Sequence, residues 1–227
     1  LLAFLAAEAR EFDGLIRRLE NVRRLGWTAR FARQGDLHGR PVILMANGPG
    51  PRLADAAARE LGERRLELEA LISTGFCGAL DDRLALADVV VATSVNGEPA
   101  LAPQSPRPHH SGPLVSADRV ITSASEKRKL AASGAIAVEM EASAALARAR
   151  EWNVPFYCVR AVTDRADQSF AIDFNRMRYA DGRFSRTAII GAALRRPFAC
   201  VPELMRLNKT CARAAEALGD FLADCRF

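Results

Sequence analysis

One pattern constrains this chain more than any other: five short apolar runs each end in a polar or glycine-rich step. Leu1–Ala6 runs into Glu8–Glu11, Pro41–Ala46 into Asn47-Gly-Pro-Gly-Pro-Arg52, and Ala70–Ser73 into Thr74-Gly-Phe-Cys-Gly78. Ala135–Val138 runs into Glu139-Met-Glu141, and Pro155–Val162 into Thr163-Asp164. Ala-rich stretches of helical character separate the runs, and that alternation is the signature of an α/β fold with a largely parallel sheet. Ligands of such sheets bind outside the carboxyl ends of the strands. Polar groups delivered at five of those ends predict an enzyme site along that edge.

Beyond these strands, the pattern predicts a hairpin of Arg30–Gln34 with Pro41–Ala46 and a strand at Asp88–Thr93. Helices are predicted over about Ala9–Leu19, Arg52–Leu61, Ser123–Ala132, Glu141–Trp152, Ser185–Leu194 and Pro202–Leu222. Gly97–Pro113 carries prolines at 99, 103, 106, 108 and 113, and reads as a long irregular loop of the kind that forms lids or stays disordered. The 227 residues are enough to bury a substantial core, and the predicted organisation is one domain over 1–227.

Composition excludes several classes. With 49% hydrophobic and 26% charged residues, the chain is globular rather than disordered. Its longest apolar runs, Leu1–Ala7 and Ala87–Ala92, fall far short of the ~20 residues of a spanning helix. Leu1–Ala7 also makes a poor signal peptide, because no basic stretch precedes it. The net charge of +5 rests almost wholly on arginine, the lysines being Lys127, Lys129 and Lys209. No stripe of basic residues interleaved with aromatics marks a nucleic-acid binder. The five cysteines are odd in number and widely spaced, which reads as reduced thiols in a cytoplasm. No metal is expected: His38 is isolated, and the adjacent His109 and His110 point apart.

Each candidate group has a plainer role beside its functional one. Asp164, at a strand end, can hold a proton if buried and act as a general acid, or it can cap a turn. Glu139 and Glu141 can grip a ribose diol with Met140 against the sugar, or simply favour a helix start. Gly48, Gly50 and Arg52 form a weak anion loop or a tight turn. Thr74-Gly-Phe-Cys-Gly78 can turn its backbone amides to a substrate or serve packing, and Cys77 has no evident histidine partner to make it a nucleophile.

The motifs Ala135-Ile-Ala-Val-Glu-Met-Glu-Ala142, Asn153-Val-Pro-Phe156 and Val159-Arg-Ala-Val-Thr-Asp-Arg-Ala-Asp167 closely resemble the nucleoside phosphorylase/nucleosidase superfamily, nearest to the methylthioadenosine/S-adenosylhomocysteine nucleosidases. Coverage is about residues 1–170. The resemblance implies a single-domain, three-layer phosphorylase-like fold with a central mixed twisted sheet flanked by helices. It implies a homodimer, and no cofactor beyond phosphate as co-substrate if the enzyme is a phosphorylase. By the same resemblance Asp164 protonates purine N7, Glu141 with Met140 holds the ribose, and Glu11 polarises the attacking water, with Glu8 as the other register. Arg160 falls on the water or phosphate side of the pocket, or else pairs with a carboxylate. Thr74, Phe76, Val120 and Ile121 fall at substrate-binding positions. Two departures stand out: Val120 replaces an aromatic that stacks on adenine, at a cost of about 1 kcal/mol, and Phe76 replaces a small polar residue near the nucleophile.

Gly112–Val120, Tyr179–Arg183 and the Arg-rich end resemble, more loosely, the hopanoid-associated phosphorylases, which implies a lipid-like 5′ substituent of the adenosylhopane type. The expected reaction is cleavage of a purine nucleoside, with water favoured as nucleophile. A carboxylate at Glu11 ~4 Å from dianionic phosphate would repel it by about 8 kcal/mol at an effective dielectric of 20. A phosphate-dependent phosphorylase and a non-catalytic nucleoside binder on the same scaffold are the alternatives; the presence of Glu141 and Asp164 argues against the second. From Arg183 to Arg213, seven basic residues stand against Glu203 alone, interleaved with apolar ones. Such a segment can lie on an anionic inner-membrane surface, or it can pack on the sheet with a solvated basic face.

Overall fold

A computed structural model describes residues 1–64, 66–179, 182–195 and 197–227, with the side chains of 186, 189, 192, 193 and 199 outside the description. Part of the Tyr179–Arg183 motif (180 and 181), Arg196, and the side chains of Arg186 and Ile189 therefore lie outside the described residues.

The strands are β1 (Leu2–Ala6), β2 (Glu20–Arg24), β3 (Phe31–Leu37), β4 (Arg40–Ala46), β5 (Ala70–Ala79), β6 (Val89–Val95), β7 (Glu98–Pro99), β8 (His110–Ser116), β9 (Ala137–Glu139) and β10 (Phe156–Asp164). The helices are α1 (Asp13–Ile16), α2 (Pro51–Glu63), α3 (Ala124–Ala131), α4 (Ala142–Glu151), α5 (Arg186–Arg195) and α6 (Pro197–Ala223). All the strands join one mixed sheet flanked by helices, in the order β10-β6-β8-β9-β5-β1-β4-β3-β2, with β7 on β6. Because β10 also pairs with β5, the strands β5, β10, β6, β8 and β9 close into a ring.

The central strands are apolar throughout because both their faces are buried. In β1, Ala3 and Leu5 face one core while Leu2, Phe4 and Ala6 face the other. The first core is filled by α2 and α4, whose Ala54, Ala57, Ala58, Ala142, Ala145 and Ala149 let the helices approach the sheet closely. The second core is filled by Phe12, Leu15 and the Ala214, Leu218, Phe221 and Leu222 face of α6.

Several expectations are corrected. The helix expected over Ala9–Leu19 is a 3-10 turn at Ala9–Phe12 followed by the single turn of α1. The exposed edge strand β2 was not anticipated, since its sequence, Glu-Asn-Val-Arg-Arg, carries no apolar alternation. Thr74–Gly78 is not a loop: β5 continues through it to Ala79, paired with β10 on one side and with β9 at its end. The Gly97–Pro113 stretch is no lid. Bridges from Leu101 to Tyr157 and from Gln104 to Arg226 hold it, and Arg107 binds Asp224 at 2.6 Å.

Four of the five polar strand ends belong to mutually parallel strands, namely β1, β4, β5 and β10. The fifth, β9, runs antiparallel to β5. It pairs with β5 only at Gly78 and Ala79 and runs parallel to β8, and its acids arrive at the same edge.

Candidate active site

Asp164, Glu141 and Glu11 line one cavity of about 970 Å3 at that edge. Asp164 ends β10, just past a register shift between Val162 and Asp164. A bulge of this kind re-aims a side chain, here into the cavity. Glycine at 78 makes room, since a Cβ there would stand 2.7 Å from Asp164 Oδ2. Thr163 Oγ1 donates to Asp164 Oδ1 at 3.1 Å. Burial raises the proton affinity of Asp164, and the ammonium of Lys127, which donates to Oδ2, opposes that rise.

Glu141 is the N-cap of α4 and is 6% exposed. Its Oε1 accepts the Gly50 amide at 2.7 Å. Burial and the neighbouring Glu139 carboxylate raise its pKa to about 8. Met140, beside it, also lines the cavity.

Glu11 is buried, and both its oxygens are held by backbone: Oε2 accepts the Glu8 amide at 2.7 Å and Oε1 the Phe76 amide at 2.8 Å. Burial raises its proton affinity against those two bonds. Gly75, at φ +132°, permits the approach, because a Cβ there would stand 2.6 Å from Glu11 Oε1. Between the two registers, Glu11 is the enclosed one. Glu8 borders the cavity half-exposed and pairs with Arg10 at 2.9 Å.

Arg160 does not line the cavity. It is wholly buried, with Nη2 on Glu139 Oε2 at 2.5 Å and on Ser73 Oγ at 2.7 Å. The same Glu139 oxygen accepts the amides of Glu141 and Ala142, so the pair anchors the start of α4. Thr74, in the interior of β5, is also absent from the wall, whereas Phe76 is present.

The glycine loop is no open anion cradle. The Gly48 amide donates to Ala7 O at 2.8 Å and the Gly50 amide to Glu141. Gly48 borders the main cavity, while Gly50 and Arg52 line a neighbouring recess. Burial pushes the Cys77 thiol well up, which leaves it a packing residue. Among the described residues no group of three His, Cys, Asp or Glu side chains could hold a metal ion.

Val120 and Ile121 line the cavity as expected, and four rings not singled out in the sequence line it too: Phe31, Phe170, Phe174 and Phe184. Leu204, Leu207, Asn208 and Cys211 of α6 complete the wall. The spacing of apolar residues in the tail could have pointed to these helical positions. Lys127 was also missed; its one sequence signal, shared with Lys129 and Lys209, is that it is a lysine in a chain whose other basic side chains are almost all arginine.

Buried carboxyls converge on a nucleoside-sized cavity at the edge of a mixed sheet, an arrangement fit for acid–base chemistry on a small molecule. The family model described as the phosphorylase superfamily matches residues 3–103 and 98–183, and the chain belongs to that superfamily. It is 31% identical over 173 residues to the 5′-methylthioadenosine/S-adenosylhomocysteine nucleosidase of Staphylococcus aureus, covering 62% of this chain and 75% of that protein. Its fold matches the nucleosidase of Neisseria meningitidis in complex with methylthio-immucillin-A, with a TM-score of 0.72 at 22% identity over 98% of this chain and 96% of that one. It also matches a futalosine hydrolase mutant of Helicobacter pylori, with a TM-score of 0.71 at 15% identity over 98% and 96% of the two chains.

Proposed function

We propose that the chain hydrolyses the N-glycosidic bond of a purine nucleoside as one phosphorylase-like domain. The observation that carries this reading is the meeting of Asp164, Glu141 and Glu11 in one cavity. Protonated Asp164 donates to N7, so that the base departs neutral while the C1′–N9 electron pair passes to it. Glu141 grips the ribose hydroxyls with the oxygen capacity that Gly50 leaves free. Glu11, its proton affinity raised, takes the proton of the water that attacks C1′. Phe170, in the cavity wall beside Val120, supplies the ring that Val120 does not.

Water is favoured over phosphate because neither the loop amides nor Arg160 is offered to the cavity. The Gly48 and Gly50 amides bind within the protein, and the buried Arg160, outside the cavity wall, turns Nη2 to Glu139 and Ser73. Adenine release from 5′-methylthioadenosine is therefore expected at the same rate, within about twofold, with and without phosphate. Strict phosphate dependence would make the enzyme a phosphorylase. Intact nucleoside persisting in the site would make it a binding protein.

The 5′ substituent is apolar and lipid-like, of the adenosylhopane type. The support is the cavity size, at the top of the usual range of about 300–1,000 Å3 for small-molecule sites, and the wall of Phe174, Phe184, Leu204 and Leu207. The outer face of the same helical segment, from about 185, carries the exposed Ile190, Leu194, Phe198 and Met205, with Phe198 96% exposed. Glu203, the acid of that stretch, is turned inward to the amides of Ala171 and Ile172. An apolar face bordered by Arg195, Arg206, Lys209 and Arg213 fits an anionic bilayer. No helix among the described residues is long and apolar enough to cross a membrane. Co-sedimentation with phosphatidylglycerol vesicles is expected, weakened by salt and by Phe198→Glu. A homodimer in solution with no vesicle binding would assign the face to a second copy instead.

A further inference from the structure

Lys127 is the one lysine of the chain that is fully buried, at 0% exposure in the middle of α3. A lone ammonium is costly to bury, and such groups persist only where a partner holds them. Here Nζ donates to Asp164 Oδ2 and to Arg165 O at 2.6 Å. The helix that carries it is fixed at its start by Ser123, whose Oγ accepts the Glu126 amide at 3.2 Å. The cation is therefore directed at one oxygen of the acid, behind the cavity wall, where a substrate does not reach it.

We infer that Lys127 is a positioning residue for the purine-protonating acid. Its ammonium orients the Asp164 carboxyl and balances the carboxylate formed when the proton leaves. This inference rests on the reading of Asp164 given above. In the step, the Asp164 O–H bond breaks and the N7–H bond forms, while the C1′–N9 pair moves onto the purine. Lys127 neither gives nor takes a proton in this balance. Without it, the new carboxylate would stand buried and uncompensated, which opposes the transfer. A fixed cation aimed at charge that develops during the reaction is the arrangement that lowers such barriers.

The groups facing Asp164 are few. Lys127 approaches from α3, Thr163 from the same strand, Cys77 from β5 and Cys211 from α6. Burial keeps both thiols neutral, pushing Cys77 well up and Cys211 to about 11. The Arg165 guanidinium turns away to Asp167 at 3.2 Å. Lys127 is thus the cation that tunes the acid.

The test is Lys127→Met, with 5′-methylthioadenosine as the purine nucleoside and 4-nitrophenyl β-D-ribofuranoside as a substrate whose leaving group needs no proton. With the purine substrate, kcat is expected to fall about 10²-fold with KM within about threefold. The alkaline limb of the pH profile is expected to move up by about one unit or more, because removing the cation raises the value at which Asp164 loses its proton. With the nitrophenyl substrate the loss is expected to stay within about threefold. Lys127→Arg should restore the limb. Lys127→Gln, which keeps a donor without the charge, gives the same reading if the Met variant does not fold. An unmoved limb, or equal losses on both substrates, would overturn the inference. A wild-type protein that leaves the purine nucleoside uncleaved would instead overturn the proposed function.

Discussion

Asp164→Asn is expected to lower kcat for purine nucleoside hydrolysis by about 10³-fold, within the range a general acid contributes, while KM changes little. The amide fills the same space beside Gly78 and can still accept a hydrogen bond from Lys127, but it has no proton to give. The loss should be confined to substrates whose leaving group must be protonated, so 4-nitrophenyl β-D-ribofuranoside should retain most of its rate. The measurement is steady-state kinetics on both substrates, with thermal unfolding as a control for the fold. Retention of more than a tenth of the purine rate would remove Asp164 as the acid. The variant should also lose the alkaline limb of the wild-type profile, because burial places a titrating carboxyl here that the amide replaces.

Glu141→Gln is expected to separate stability from activity. The pKa of Glu141 is about 8 in the folded protein, against an ordinary value of 4.5. Between those values the folded state binds a proton that the unfolded state does not. The associated stability is complete below about 4.5 and is lost as pH rises through about 8, with a slope of at most about 1.4 kcal/mol per pH unit. Melting temperatures of the ligand-free protein between pH 5 and 8.5 should therefore fall more steeply for wild type than for the variant, which has nothing to ionise at this position. Glu11 and Asp164 are shifted in the same direction, so the variant flattens the dependence without abolishing it. Above about pH 8, where the wild-type carboxyl of the free protein is ionised, kcat/KM should drop about 10²- to 10³-fold, the loss of charge-assisted hydrogen bonds to the ribose hydroxyls at about 1.5–3 kcal/mol each. Identical melting slopes would show that Glu141 does not titrate there. Unchanged kcat/KM would release it from the sugar.

Much of the scaffold was legible because it rests on local rules. Strands buried on both faces are written as unbroken apolar runs, and helices that must lie close to them are written in alanine. The elements that were misread carry weak local signals. β2 is polar on both faces, and β5 runs through two glycines that, read along the chain, look like a turn. Those glycines are there for other residues: each opens the space into which a carboxylate, Glu11 or Asp164, closes.

The sequence by itself determined the alternation of strands and helices, the sheet edge that bears the candidate site, and the small set of strand-end acids from which its carboxyls are drawn, because side-chain period and strand-end chemistry are written along the chain. Only the tertiary structure decided which charges face the cavity and which satisfy one another. Arg160 turned from the pocket to Glu139, the loop amides turned to Glu141 and Ala7, and Lys127 came up beneath Asp164 from a helix 37 residues away. Burying a charge requires a partner, and the partner is chosen by how the sheet closes and where the helices pack against it.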